Sequence, residues 1–313
     1  MQIGFIGLGL MGASMASNLQ QAGYKVVVSD LRQEAATQHL KAGASWAATP
    51  AELASRCDVV FTSLPGPREM EAVSTGPSGL LEGLKPGAAH FDLTTNAPST
   101  IRAIHKPYSA KGVHLLDAPV SGGPKGAKTR RMAIWVGGDE AVFNTYKAPL
   151  DAMGDAVRYI GPIGAGAIAK LVHNAAGYAV QTALAEVMSM GVKAGVEPVA
   201  LWQAVRTGAL GRARTFDRLA DQFLPGVYEP PAFTLKLGHK DMTLATDLGR
   251  EIGVPMRLVN AAYAEMTEAL NRGWAHEDSR SPMKLQVERA GVEIAADVQR
   301  IAAVFDEDPP FKG

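Results

Sequence analysis

Apolar residues in the first half of the chain fall into short runs separated by longer amphipathic stretches. Ile3 to Ile6, Lys25 to Ser29 (KVVVS), Val59 to Ser63 (VVFTS), His90 to Leu93 (HFDL), Val113 to Asp117 (VHLLD) and Met132 to Val136 (MAIWV) each read as strands. Their nearly continuous apolar character is that of strands buried on both faces of a parallel sheet. Met11 to Ala22, closing near Gly23, has helical periodicity, and Pro65-Gly66-Pro67 and Lys85-Pro86-Gly87 are turn signals. The alternation predicts an α/β domain built on a doubly wound parallel sheet.

The pattern changes after Gly161-Pro162-Ile163-Gly164. From there to about Val304 the chain is rich in alanine, leucine and methionine and its periodicity is helical. The prediction is a first domain over 1–162, an all-α domain over 163–295 and a C-terminal tail over 296–313, frayed at Asp306-Glu307-Asp308-Pro309-Pro310. Phe223 to Pro231, with three prolines, reads as a loop between helices. The apolar tract from Ile163 to Val196 is interrupted by Lys170, His173, Asn174, Gln181, Glu186 and Lys193. It predicts a buried helix and not a membrane span.

Composition narrows the classes. A chain of 313 residues exceeds a comfortable single core. Its 31 basic residues equal its 31 acidic ones, so there is no electrostatic reason to bind nucleic acid or an anionic membrane. Cys57 is the only cysteine, which excludes an intramolecular disulfide and a cysteine-based zinc site. That fits a reducing cytoplasm, and Cys57 itself reads as a small core filler. Met1 to Ala16 is apolar enough to imitate a secretion signal, but it lacks a positive leading region and spaces its four glycines regularly. It reads as structure.

Those glycines carry the first chemical signal. Gly7-Leu8-Gly9-Leu10-Met11-Gly12 matches G-x-G-x-x-G directly after the first strand and at the opening of a helix. Such a turn brings backbone N–H groups to a pyrophosphate at the positive end of a helix dipole. Asp30 ends the second strand about twenty residues on, where a carboxylate accepts hydrogen bonds from the adenine-ribose hydroxyls. In Asp30-Leu31-Arg32 the carboxylate repels a 2′-phosphate and favours NAD over NADP, while Arg32 lies nearby and could soften that preference. A glycine turn in a phosphate-free α/β fold would lack the combined strand, spacing and acid. The whole predicts a Rossmann domain.

The second signal is Gly164-Ala-Gly-Ala-Ile-Ala-Lys170-Leu-Val-His173-Asn174. Lys170 and Asn174 lie four apart on one helix face, with Gly166 one turn earlier. Two readings stand side by side. A lysine among Ile168, Ala169, Leu171 and Val172 is desolvated and suited to proton transfer, or it snorkels from an amphipathic helix. Upstream, Asp117-Ala-Pro-Val-Ser121-Gly122-Gly123-Pro124 follows a strand. Exposed N–H groups of Gly122 and Gly123 with the Ser121 hydroxyl could hold a carboxylate, or the segment is a simple turn. Leu64-Pro65 and Asp92-Leu93-Thr94-Thr95 also end strands and could line the dinucleotide groove.

Together these segments resemble the β-hydroxyacid dehydrogenase family, which includes 3-hydroxyisobutyrate dehydrogenase and tartronate semialdehyde reductase. The matching pieces are FIGLGLMG at 5–12, FTSLP at 61–65, DLTTNAP at 92–98, DAPVSGG at 117–123, GAGAIAKLVHN at 164–174 and HKDM at 239–242. The resemblance implies that Lys170 is the proton donor or acceptor and that Ser121, Gly122, Gly123 and Asn174 hold the substrate. It implies that Leu64, Pro65, Thr95 and Lys240 contact the cofactor, with Lys240 also near the substrate. The reaction implied is reversible hydride transfer between NAD and a small β-hydroxy acid or semialdehyde, with no metal, in a homodimer or homotetramer. Two departures are Arg130-Arg131, where the family usually has Gly-Thr, and the chain beyond Val287. The arginines could reach a second anionic group, or form a solvated basic turn.

Three alternatives use the same features. Lys170-Leu-Val-His173-Asn174 also resembles 6-phosphogluconate dehydrogenases, which decarboxylate, but the acid those enzymes carry three residues after the asparagine is here Gly177. Imine reductases share the architecture and usually replace the lysine. A non-catalytic binding module of the chromatin-associated kind loses the lysine and adds a basic tail or a reader domain.

Overall fold

The computed structural model describes residues 1–212 and 214–307; the side chains of residues 175, 182, 237, 240, 241, 244 and 248 lie outside that description. The first compact unit is Met1–Ala176 and the second begins at Gly177.

In the first unit the strands are β1 (Gln2–Ile6), β2 (Lys25–Ser29), β3 (Ser45–Trp46), β4 (Val59–Thr62), β5 (Ala89–Asp92), β6 (His114–Asp117), β7 (Val120–Ser121), β8 (Ala133–Gly137) and β9 (Ala156–Gly161). They form one sheet in the order β3-β2-β1-β4-β5-β6-β8-β7, with β9 on β8. Strands β1 to β6 are parallel, as the apolar runs of β1, β2, β4, β5 and β6 predict. Beyond them the sheet is mixed: β8 runs antiparallel to β6 and β7 and parallel to β9. Three strands lie outside the predicted ones: β3 and β7, which have two residues each, and β9, whose alternating half-exposed pattern is that of an edge strand.

Alternate residues of the central strands feed opposite faces. Ile3 and Phe5 with Val59 and Phe61 enter one apolar layer; Ile6, Val27 and Val60 enter the other. Phe5, Phe61 and Phe91 are in register across β1, β4 and β5, and their rings stack at 6.5 and 5.4 Å. Each such ring, fully buried, stabilises the fold by about 1.5–3 kcal/mol. Cys57 is buried in the second layer as a filler, and burial pushes its thiol up to about 12.

The order β3-β2-β1-β4-β5-β6 is that of a doubly wound dinucleotide-binding sheet. Direction of progression reverses between β1 and β4. At this switch point the loops after the two strands diverge and leave a crevice at their carboxyl ends.

The junction helix Ala165–Lys193 follows β9. It is correctly foreseen as a helix, but the expectation that it is buried is overturned. Val172 is 57% and Leu184 49% exposed, and Ile168, Leu171, Val180 and Val187 are exposed too. Hydropathy registers a preference for burial and not the partner that provides it. The second unit is helical over Pro198–Arg206, Leu235–Glu251, Arg257–Asn271, Met283–Ala290 and Val298–Glu307. Its small core comprises Leu235, Ala269 and Leu285. The last of these helices occupies much of the expected tail; residues 308–313 lie outside the described residues. Among the described residues no helix is long and apolar enough to cross a membrane, and no cluster of His, Cys, Asp and Glu is placed to hold a metal ion.

Candidate active site

The groove at the switch point has a volume of about 620 Å³ and is walled by Gly7 to Gly12 except Leu8, by Asp30 to Arg32, and by Leu64, Pro65 and Val73. Each glycine of the loop has its own reason. Gly7 has φ +92°, and a Cβ there would lie 2.2 Å from the Ser63 carbonyl oxygen. A Cβ on Gly12 would lie 1.9 Å from the Gly7 carbonyl oxygen, so the helix Gly12–Gln21 can approach β1 only without one. A Cβ on Gly9 would meet nothing within 4 Å. That open space faces the groove, beside a helix start with no side-chain cap. Uncapped amides at a helix N-terminus next to open space suit a pyrophosphate, so the residues present fit a dinucleotide.

Asp30 does more than the sequence suggests. Its Oδ2 accepts the Leu8 N–H at 2.7 Å and its Oδ1 the Arg32 N–H at 2.9 Å, tying the end of β2 to the glycine loop. An ionised carboxylate has about four acceptor positions, so both oxygens can still accept from ribose hydroxyls. Leu8 is buried, whereas Leu10 and Leu31 are exposed apolar residues on the groove wall.

On the β4 side, a buried polar chain missed in the sequence shapes the wall. The Thr62 hydroxyl donates to Asp92 Oδ1 at 3.1 Å and lies 3.0 Å from His90 Nε2, while His90 Nδ1 is 3.1 Å from the Tyr108 hydroxyl. Asp92 also accepts the Thr94 N–H at 3.0 Å and the Asn96 amide at 3.1 Å. Thr94 Oγ1 in turn accepts the Leu64 N–H at 3.0 Å. This chain fixes Leu64 and leaves Thr95 exposed at the turn. Burial pushes Asp92 up to about 6, against the pull of its hydrogen bonds, and pushes His90 down to about 3, so His90 is neutral at ordinary pH. Polar residues inside an apolar strand run were the available signal.

The chemical side of the unit is built on β6, β7 and β8. Ser121 pairs with Ala133, and antiparallel partners project to the same sheet face. By alternation Trp135 and Gly137 project to that face too. The junction helix lies there: a Cβ on Gly166 would come 2.2 Å from the Trp135 carbonyl oxygen, and the His173 ring packs at a tilt against Trp135 with centroids 5.2 Å apart. Gly166, Lys170 and His173 follow at helical spacing, so Lys170 lies on the stretch held to the sheet at both ends. After Ser121 the backbone turns through Gly122 (φ +145°) into the helix Gly123–Thr129, whose start has no side-chain cap. Gly122 and Gly123 are exposed.

Lys170 is 9% exposed, and desolvation alone lowers its pKa below the ordinary lysine value. The side chain is thus withdrawn from solvent, and desolvation favours its neutral amine. Asn174 Oδ1 lies 3.1 Å from His173 Nδ1, which leaves the amide NH2 free to donate. Arg130 is turned away from this arrangement: it closes its helix in the left-handed region (φ +60°) and donates to Gln21 at the far end of the glycine-loop helix. Lys240 is on the helix Leu235–Glu251 of the second unit, and its side chain lies outside the described residues.

Sheet order, glycine loop and groove define a Rossmann-type dinucleotide-binding protein. Residues 2–161 match the family described as the NAD binding domain of 6-phosphogluconate dehydrogenase. Residues 164–286 match the NAD-binding of NADP-dependent 3-hydroxyisobutyrate dehydrogenase. The chain is 32% identical over 294 residues to 2-(hydroxymethyl)glutarate dehydrogenase of Eubacterium barkeri, covering 94% of this chain and 97% of that one. It is 34% identical over 292 residues to the NAD-dependent L-serine dehydrogenase of Pseudomonas aeruginosa, covering 91% and 97%. Among solved structures, 3-hydroxyisobutyrate dehydrogenase of Mycobacterium tuberculosis with L-serine superposes with a TM-score of 0.64 at 29% identity, covering 91% and 98%. The protein is an NAD(P)-dependent oxidoreductase acting on CH–OH groups. It belongs to the β-hydroxyacid dehydrogenase family of the 3-hydroxyisobutyrate dehydrogenase and tartronate semialdehyde reductase kind.

Proposed function

We propose that the protein reversibly transfers hydride between NAD(H) and a small β-hydroxy acid or its semialdehyde, with Lys170 as general acid and base. The observation that carries this reading is the desolvated ammonium of Lys170 on a helix held against the sheet face of Ser121. A bound nicotinamide supplies or accepts the hydride. The substrate carboxylate is held by the Ser121 hydroxyl and the N–H groups of Gly122 and Gly123, and its oxygen at the reacting carbon by the Asn174 amide. In reduction, Lys170 donates a proton from Nζ to the developing alkoxide; in oxidation its neutral amine takes the hydroxyl proton. Desolvation lowers the pKa of Lys170 and so eases release of its proton relative to an ordinary lysine. Gly177 stands where the decarboxylating relatives carry an acid three residues after the asparagine, which supports hydride transfer alone over oxidative decarboxylation.

The cofactor residues of this reading are Gly7, Leu8, Gly9, Leu10, Met11, Gly12, Asp30, Leu31, Arg32, Leu64, Pro65 and Thr95, and the family resemblance adds Lys240 for cofactor and substrate. The Asp30 carboxylate supports NAD over NADP. The relatives acting on 2-(hydroxymethyl)glutarate and L-serine support a carboxylate substrate. Exposed apolar residues along the junction helix, among them Ile168, Leu171, Val172 and Leu184, support a homodimer or homotetramer. The single buried cysteine accords with work in the cytoplasm.

The test is Lys170→Ala assayed with NADH and a panel of C3 to C5 semialdehydes. Turnover is expected to vanish while NADH affinity stays within threefold. Loss of dinucleotide binding with residual chemistry unchanged would sink the assigned role. Sedimentation of the wild type checks the oligomer.

A further inference from the structure

We propose that Asp117 is a positioning residue for Lys170: its carboxylate fixes the first turn of the junction helix to the end of β6 and so sets where the lysine stands relative to Ser121. This rests on the assignment of proton transfer to Lys170. Asp117 is 1% exposed. Its Oδ1 accepts the Gly164 N–H at 2.7 Å and its Oδ2 accepts the Ala167 N–H at 2.6 Å. These are amides at the start of the helix, which have no partner within it. An ordinary serine or asparagine cap presents one acceptor. Two amides three residues apart need two oxygens, and the positive helix end favours their negative charge.

The strand side of this joint is equally constrained. Asp117 is in register with Asp92 on β5 and with Gly137 on β8. A Cβ on Gly137 would lie 2.6 Å from Asp117 Oδ1 and 2.9 Å from the Ala165 and Gly166 nitrogens. A Cβ on Gly166 would lie 2.8 Å from the Asp117 carbonyl oxygen. The helix start therefore sits directly on backbone, with space only for the carboxylate that joins them. Lys170 is three residues beyond Ala167, about 4.5 Å along the helix axis, and Ser121 is four residues beyond Asp117 along the chain. One side chain thus links the lysine to the serine turn over a short path. A displacement near 1 Å at a reacting group costs on the order of a hundredfold in rate. The carboxyl is held above its ordinary value by desolvation, against the pull of the backbone N–H groups. The titratable and charged groups on the elements around this joint are Asp117 and His173, Arg102, whose Nε lies 3.5 Å from the Ile163 carbonyl oxygen, and Arg158, in register with Trp135 on the neighbouring strand.

The test compares wild type, Asp117→Asn and Lys170→Ala as full-length proteins, using NADH and the best semialdehyde of the panel. Asparagine keeps one acceptor and turns an NH2 toward the other amide, so the helix start loosens and water reaches Lys170. The expected result is a kcat lowered at least tenfold per NADH-binding site, with the dissociation constant for NADH within threefold. The alkaline limb of the reductive pH profile moves up toward the ordinary lysine value. A kcat that falls with the limb left in place shows a purely structural role and overturns the proposal, as does an unchanged kcat. Persistence of the limb in Lys170→Ala overturns the lysine assignment instead, whatever Asp117→Asn does. Should Asp117→Asn yield too little folded protein, Asp117→Ser, smaller and with one acceptor, is read against the same criteria.

Discussion

The indole of Trp135 on β8 packs against the imidazole of His173 with ring centroids 5.2 Å apart and the planes tilted by 48°. Since His173 Nδ1 reaches Asn174 Oδ1, the indole indirectly supports the amide proposed to bind substrate. Trp135→Ala removes an aromatic pair worth about 0.5–1.5 kcal/mol beyond its buried area. The expected outcome is a KM for the hydroxy acid raised about twofold to twelvefold, the same energy expressed as affinity, with kcat changed less. Trp135→Phe keeps a ring at the position and stays near wild type. Steady-state kinetics at saturating NAD checks this, and an unchanged KM in Trp135→Ala removes the indole from the site.

The glycine loop separates binding from folding. A methyl on Gly9 enters open space, and Gly9 does not have a positive φ. Gly9→Ala should therefore fold within about 1 kcal/mol of wild type yet bind NADH at least about tenfold more weakly, because the methyl fills the space a pyrophosphate needs. Gly12→Ala drives a Cβ against the Gly7 carbonyl oxygen and costs stability by about 1–3 kcal/mol through overpacking. Urea unfolding and fluorescence titration of the two variants read the two effects independently.

Asp92 gives a pH dependence of stability with a definite sign. Its folded-state pKa is raised from 3.8 to about 6. A raised pKa means that the group's contribution is fully present below 3.8 and is lost as pH climbs through about 6. His90 beside it stays neutral over that window. Relative to the non-titrating Asp92→Asn, wild type should gain about 2 kcal/mol between pH 7 and pH 4. A difference independent of pH in urea melts refutes the assignment. Asp92→Ala, which removes the acceptor for Thr62, Thr94 and Asn96 together, should weaken NADH binding about tenfold, the worth of one hydrogen bond.

Local signals made the dinucleotide half legible. A strand, a glycine turn and an acid at the next strand end are close in sequence, and each has a reason independent of the rest of the fold. Lys170 was ambiguous for a physical reason: its desolvation depends on what packs over the helix, which spacing on one helix cannot state. Asp117 and Trp135 were invisible as partners because they meet the junction helix across 50 and 38 residues of chain. The strand β7 is only two residues long, too short for period-two alternation to register. The junction helix was expected to be buried because its composition records apolar character without saying which surface covers it.

Asp30 is the place to test the proposed cofactor preference. Its two oxygens hold the Leu8 and Arg32 amides, so the carboxylate is fixed in place and its charge stands at the end of β2. A 2′-phosphate brought there meets that charge at close range, while the Arg32 side chain is exposed nearby. Asp30→Asn removes the charge and keeps one acceptor, at a cost of about 1–2 kcal/mol for the amide left facing an NH2. The affinity for NADH should fall while that for NADPH holds or rises, changing the ratio of the two dissociation constants by at least about tenfold, or 1.4 kcal/mol. Because charge repulsion is screened by salt, the change should be larger at 20 mM than at 500 mM ionic strength, where the screening length falls from roughly 20 Å to about 4 Å. Fluorescence titration with both reduced cofactors at the two salt concentrations decides it. Equal losses for NADH and NADPH would mean that Asp30 acts only by holding the glycine loop.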